Sequence, residues 1–252
     1  MLPIKIFYHV YIPDDERSQD WTWFVDSQLQ LIIQSNLKQA CCQCLLTVTM
    51  PKFWTHQLGM PFHADKNPHQ ALTFGQKVEE YLNKRYPWVT ILEIRDISAN
   101  LFEGLTLKYL WQLSKKEDFY ALYMHTKGVR FDTAPVANWR EVLNYCHITH
   151  WQKAVEHLTY KKVVGVTDSL ESTSILSGNF FWTRSDHVRS LHDPLESHLY
   201  TDDTHMWPHA NSYRYAFELW ILSNKPTVHY LLNTNTNHYD EYCFVENLPR
   251  IL

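Results

Sequence analysis

Three short segments carry side chains able to act on a phosphorylated or hydroxylated ligand. The first is His125-Thr126-Lys127-Gly128, directly after the apolar run Phe119–Met124 (FYALYM). A strand that ends in such a tetrad presents side chains at one edge of a sheet. Lys127 brings a fixed positive charge for a phosphate, Thr126 and the backbone N–H groups can donate, and His125 can donate or ligate a metal. The competing reading is an ordinary turn, with Gly128 supplying a positive φ and Lys127 solvated. The second segment is Ser177-Gly178-Asn179-Phe180-Phe181-Trp182. Small residues permit close backbone approach, the Asn179 amide both donates and accepts, and the rings offer a stacking surface; an edge strand with a buried aromatic pair is the plainer alternative. The third is Glu218, beside Phe217 and Trp220. A carboxylate framed by aromatic rings can have a raised pKa and act as a general base, although a lone helical Glu also serves as a salt-bridge partner.

The elements that must position these segments alternate. Ile4–Ile12 reads as a strand closed by Pro13-Asp14-Asp15, and Trp21–Leu37 as a helix. Cys44–Met50 reads as a strand ended by Pro51, Ala71–Arg85 as a helix, and Trp88–Ile94 as a third strand. Next come a helix from an Asn100 cap to Lys116, the buried strand Phe119–Met124, a helix over Val136–Leu158 and a strand at Lys162–Val166. Beyond Ser177 the pattern turns to short strands, a helix near Tyr213–Leu222 and a strand at Thr227–Leu232. Connections too long for hairpins imply an α/β fold: a mostly parallel central sheet with helices on both faces and a mixed C-terminal half. Residues 1–252 read as a single domain, with a nucleotide-binding half to about 130 and an acceptor or catalytic half after it. In such sheets the ligand lies beyond the carboxyl ends of the strands, which directs attention to the residues just after Ile12, Met50, Ile94, Met124 and Val166.

Composition narrows the class. Lys and Arg total 23 against 27 Asp and Glu, a formal charge of −4, which excludes a basic nucleic-acid binder or a polybasic membrane tether. Six Gly in 252 residues exclude low-complexity and collagen-like chains. Aromatic residues make up 15%, fitting either a bulky core or a site for flat, hydroxylated ligands. Among five Cys, Cys41, Cys42 and Cys44 crowd together, too compressed for a zinc knuckle, while Cys146 and Cys243 stand apart. They read as reduced thiols of a reducing compartment. No run approaches a membrane span and no signal peptide is recognisable, so the expected location is the cytoplasm.

Taken in order, Phe102-Glu103-x-x-Thr106-Leu107, Tyr123-x-His125-Thr126-Lys127-Gly128-Val129, Trp139-Arg140, Val164-Gly165, Ser177-Gly178-Asn179-Phe180-Phe181-Trp182 and Glu218-x-Trp220 resemble a glycosyltransferase-like family. Its members occur in bacterial polysaccharide clusters and in large DNA viruses, including the chlorella-virus enzymes that glycosylate capsid protein; a viral member would work in the host cytoplasm. The family pattern commonly has Trp where this chain has Phe181. The resemblance spans about Phe102 to Ile221 and implies a GT-A-like fold. It also implies a nucleotide-sugar donor (UDP- or GDP-sugar) and a glycan or glycoprotein acceptor. Many GT-A enzymes end the corresponding strand in Asp-x-Asp, which holds Mn²⁺ or Mg²⁺. Here His125-Thr126-Lys127 stands in that place, so either Lys127 neutralises the diphosphate directly or His125 and His238 hold a metal. The Asp202-Asp203 pair falls too late in the chain to be that motif.

The combined expectation assigns donor binding to Tyr8, His9, Tyr11, Glu103, Thr106, His125, Thr126, Lys127, Gly128, Arg140 and His238. Ser177, Gly178, Asn179, Phe180, Trp182 and Trp220 are expected to meet the transferring or acceptor sugar. Glu218 is the expected base of an inverting reaction, with Asp168, just past the Val163–Val166 strand, as its substitute. The rival expectations are a non-catalytic nucleotide-sugar or carbohydrate-binding module on the same fold, and a histidine-rich metallohydrolase. The second is opposed by the absence of any H-E-x-x-H pair.

Overall fold

The structure is a computed structural model that describes residues 2–13, 21–51, 68–97, 103–129, 133–167, 176–196 and 212–233. Seven strands form one sheet: β1 (Ile4–Tyr11), β2 (Cys41–Pro51), β3 (Val89–Ile97), β4 (Tyr120–His125), β5 (Val163–Thr167), β6 (Phe181–Arg184) and β7 (Val228–Asn233), in the order β3-β2-β1-β4-β6-β5-β7. β1 pairs in parallel with both β2 and β4, β2 with β3, and β5 with β7, whereas β6 runs antiparallel to both neighbours. The helices are α1 (Trp21–Gln34), α2 (Leu37–Ala40), α3 (Pro68–Arg85), α4 (Gly104–Ser114), α5 (Ala134–Asn144), α6 (Trp151–His157), α7 (Ser185–Ser190) and α8 (Ser212–Trp220).

Strand alternation separates two apolar cores. Ile4, Ile6, Tyr8 and Val10 of β1 face one side and pack with Val25 and Leu29 of α1, Val78 and Leu82 of α3, Val142 of α5 and Val155 of α6. Phe7 of β1, with Ala121 and Tyr123 of β4, faces the other side and packs with Leu107 and Leu110 of α4, Val188 of α7 and Phe217 and Trp220 of α8. Central strands buried on both faces need near-continuous apolar sequence, which is why IKIFYHVY and YALYMH look as they do. The expected mostly parallel α/β sheet with helices on both faces is therefore present.

Element ends differ from the sequence expectation for local reasons. The first helix stops at Gln34 because Asn36 takes a left-handed conformation (φ 62°), a state Asn tolerates, and α2 then leads straight into β2 at Cys41. Free Cys41, Cys42 and Cys44 thus sit on one strand; Cys44 and Cys146 are buried, while Cys42 is exposed. The helix expected from Asn100 is described from Gly104, with Glu103 at its N-cap; Asn100 lies outside the described residues. The continuous helix expected over Val136–Leu158 is three pieces: α5, a π-helical turn at Tyr145–Thr149, and α6. It starts early because Pro135 in the first turn has its φ already set and no N–H to waste.

The chain lays β1, β2 and β3 outward in one direction, then returns to place β4 on the other side of β1. The carboxyl ends of β1 and β4 therefore flank a topological switch point, where open α/β sheets bind ligands.

Candidate functional site

Thr126 fastens the two strand ends at that point. Its N–H donates to the His9 carbonyl (3.1 Å), and its hydroxyl accepts from the Tyr11 N–H (3.0 Å). The hydroxyl of Thr126 thus joins β1 to β4. Gly128 takes a φ of 84°, so its turn needs the missing Cβ. The Lys127 ammonium lies 3.7 Å from the centroid of the Trp139 ring, a cation–π placement that fixes it beside the switch point. The Lys127 carbonyl accepts from Arg140 (3.1 Å), whose guanidinium packs against the rings of Trp23 and Phe24; the residue is 4% exposed. Arg140 thus holds the backbone of the Lys127 turn, and it does so from inside the protein.

His125 links β4 to the second predicted segment. Its Nε2 lies 2.7 Å from the Gly178 carbonyl, so that nitrogen carries the proton and donates. Ser177–Asn179 forms a 3₁₀ turn, anchored by the Trp139 indole donating to the Ser177 hydroxyl (2.8 Å). Both Gly178 (φ 65°) and Asn179 (φ 53°) are left-handed, and a Cβ on Gly178 would meet Leu143 Cδ1 at 2.4 Å. The turn directs the Asn179 amide towards α4, where it donates to Glu103 Oε1 (3.4 Å). The structure therefore brings His125, Thr126, Lys127, Arg140, Ser177, Gly178, Asn179 and Glu103 into one connected group.

His9 is a correction. Its Nδ1 pairs with the Thr106 hydroxyl (3.0 Å) and its Nε2 with the Thr49 hydroxyl (3.2 Å), while Thr47 bonds Thr106. Burial lowers its pKa to about 4; the nearby Glu103 opposes this and His125 adds to it. A neutral ring with both nitrogens engaged contributes no charge to a phosphate, and Thr106 spends its hydroxyl in the same cluster.

The rings are the second correction. Tyr8 is fully buried and donates to Gln28 Oε1 (2.6 Å). Phe180 is enclosed; the Trp182 indole donates to the His147 carbonyl (3.0 Å), and the Trp220 indole to the His192 carbonyl (2.9 Å). Indoles pinned inside a core offer no face to a sugar, so these rings belong to packing. Tyr11 remains half-buried at the strand end.

Glu218 sits half-buried on α8, next to Phe217 and close to Trp220. Burial raises the Tyr123 hydroxyl pKa well above its ordinary value, and the charges of Glu103 and Glu218 raise it further. Tyr123 and Trp139 stand in the motifs that carry the resemblance but received no expected site role, although a signal exists: Tyr123 precedes His125 by two on a strand and must share its face. Asp168 and His238, with the Asp202-Asp203 pair, lie outside the described residues. Among the described residues no three His, Cys, Asp or Glu side chains converge on a metal position. No described helix is long and apolar enough to cross a membrane.

Fold and site together define an α/β protein with a polar edge at the switch point of a mostly parallel sheet. The model of the domain of unknown function DUF8361 matches residues 7–229, and the chain belongs to that family. No curated protein matches the sequence. One solved structure, 4-diphosphocytidyl-2C-methyl-D-erythritol synthase from Anaerococcus prevotii DSM 20548, is similar at 9% identity and a TM-score of 0.44, covering 99% of this chain and 94% of the other.

Proposed function

We propose that the protein is a glycosyltransferase with a GT-A-like fold, moving a sugar from a UDP- or GDP-sugar to a hydroxyl of a glycan or glycoprotein. The observation that carries this reading is the placement of Thr126-Lys127-Gly128 at the β1–β4 switch point, with the Lys127 ammonium held 3.7 Å over the Trp139 ring. A diphosphate entering there meets a fixed cation and a glycine-bearing turn, two features that favour an anion without a metal. The Glu103–Asn179 pair lies on the same group, where the sugar attached to that diphosphate extends.

In the reaction the acceptor hydroxyl loses its proton to the Glu218 carboxylate while its oxygen bonds the anomeric carbon. The bond from that carbon to the phosphate oxygen breaks, and the nucleoside diphosphate leaves with the electron pair, its charge balanced by Lys127. Attack opposite the leaving group inverts the anomeric centre.

A thermal-shift series with UDP, GDP and their sugars tests the reading, because a ligand of the folded state raises the melting temperature by mass action. Lys127→Ala is expected to weaken nucleotide binding by about tenfold or more. Glu218→Gln is expected to bind donor normally and to lose roughly a hundredfold in transfer. A protein that shows no shift with any nucleotide overturns the proposal. Binding without transfer or donor hydrolysis makes the protein a binding module, and near-normal transfer by Glu218→Gln removes Glu218 as the base.

A further inference from the structure

Three polar groups around α4 hold unused hydrogen-bonding capacity. Tyr123 is fully buried with its ring stacked on Phe181 (centroids 4.9 Å apart, planes at 24°), yet its hydroxyl has no hydrogen-bond partner among the described residues. Asn179 is 2% exposed, and its Oδ1 is equally unpartnered among the described residues. The orientation of that amide is determined: Glu103 can only accept, so the NH₂ must face it and Oδ1 must face away. Glu103 itself is 7% exposed and accepts a hydrogen bond from Asn179.

Leaving a buried hydroxyl or amide oxygen unpaired costs about 1–3 kcal/mol, and a fold keeps such groups where something else satisfies them. The group offers two donors, the Tyr123 O–H and the second Asn179 N–H, against more acceptor sites: Tyr123 Oη, Asn179 Oδ1 and the Glu103 carboxylate. An acceptor-rich lining with a buried carboxylate suits a ligand whose adjacent hydroxyls donate. It repels a ligand that carries its own carboxylate.

We propose that Glu103, Asn179 and Tyr123 form a subsite for the adjacent hydroxyls of a neutral sugar, with Tyr123 as a specificity-determining residue that disfavours uronic acids. This rests on the glycosyl-transfer reading for the diphosphate beside the subsite, and it names the sugar class.

Calorimetry with UDP, UDP-glucose, UDP-galactose, GDP, GDP-mannose and UDP-glucuronate, on the wild type, Tyr123→Phe and Asn179→Gly, tests it. Glycine in the second variant keeps the left-handed backbone available. The wild type should bind at least one neutral nucleotide sugar about tenfold more tightly than UDP-glucuronate. Tyr123→Phe should reduce that preference about tenfold, leave UDP and GDP affinity unchanged, and melt at the same or a higher temperature, because the lost hydroxyl had no partner among the described residues. A lower melting temperature with an intact sugar preference makes the hydroxyl structural and overturns the proposal, as does equal binding of glucuronate. If no nucleotide binds, the glycosyl-transfer reading fails separately. The subsite is then decided by saturation-transfer NMR with methyl glucoside, galactoside, mannoside and glucuronide. Absence of binding, or binding indifferent to both variants, overturns it.

Discussion

The His9 cluster and the Glu103 cluster share the α4 face of the sheet, and Thr106 lies about one helical turn after Glu103. In the first, the two ring nitrogens of His9 and the hydroxyls of Thr47, Thr49 and Thr106 engage one another. In the second, Asn179 spends its NH₂ on Glu103, while Asn179 Oδ1 and Tyr123 Oη stay unpartnered among the described residues. Burial is nearly the same in both, so burial does not separate a structural polar group from a binding one. The difference lies in leftover valence: a closed cluster stabilises the fold, whereas an open one holds capacity for a ligand.

Gly178→Ala attacks the open cluster through its backbone and has the largest expected effect. A left-handed alanine, with a Cβ 2.4 Å from Leu143 Cδ1, should cost about 3 kcal/mol in urea denaturation. Unchanged stability would mean that the turn holding Asn179 is not fixed in place. Thr106→Val probes the closed cluster with shape preserved. It removes the hydroxyl shared by His9 and Thr47 and should cost about 2 kcal/mol, in contrast to the expected neutrality of Tyr123→Phe. Equal stability effects for these two variants would erase the distinction.

At neutral pH the smallest effect concerns a third kind of buried polar group. His147, on the π-helical turn, is fully buried with neither ring nitrogen partnered among the described residues, and burial lowers its pKa to about 3. The ordinary value of 6.5 applies once the chain unfolds. Between these values the unfolded chain holds a proton that the folded one lacks, so stability falls as pH drops below about 6.5. The fall runs down to about 4 for His9 and about 3 for His147. Each contributes a limiting slope of about 1.4 kcal/mol per pH unit. His147→Leu should leave stability at about pH 8 unchanged and flatten this acid limb, measured by urea midpoints from about pH 8 to about pH 4. An unaltered limb would show that the ring is not the group being protonated.

Much of the architecture was legible along the chain because strand and helix periods are local. IKIFYHVY, CLLTVTM and FYALYM announced central strands, and their order implied a parallel sheet. The positions of His125-Thr126-Lys127-Gly128 and Ser177-Gly178-Asn179 were legible for the same reason, since small and polar residues break an apolar run. The roles of the aromatic rings were not. Trp182 and Trp220 have the same residue type whether they stack on a sugar or fill a core, and only the neighbours on adjacent strands and helices make them core. The break of the Val136–Leu158 helix escaped too, because a π-helical turn preserves apolar periodicity on both sides of the insertion.

By itself, the sequence determined the alternating elements, the parallel sheet and the two polar turns, since each rests on residue preferences within a few positions. Only the tertiary structure decided which polar groups are spent. Hydrogen bonds such as His9–Thr106, His125–Gly178 and Asn179–Glu103 join residues 97, 53 and 76 positions apart. Whether a buried donor or acceptor is satisfied depends on those distant partners, and no local pattern encodes them.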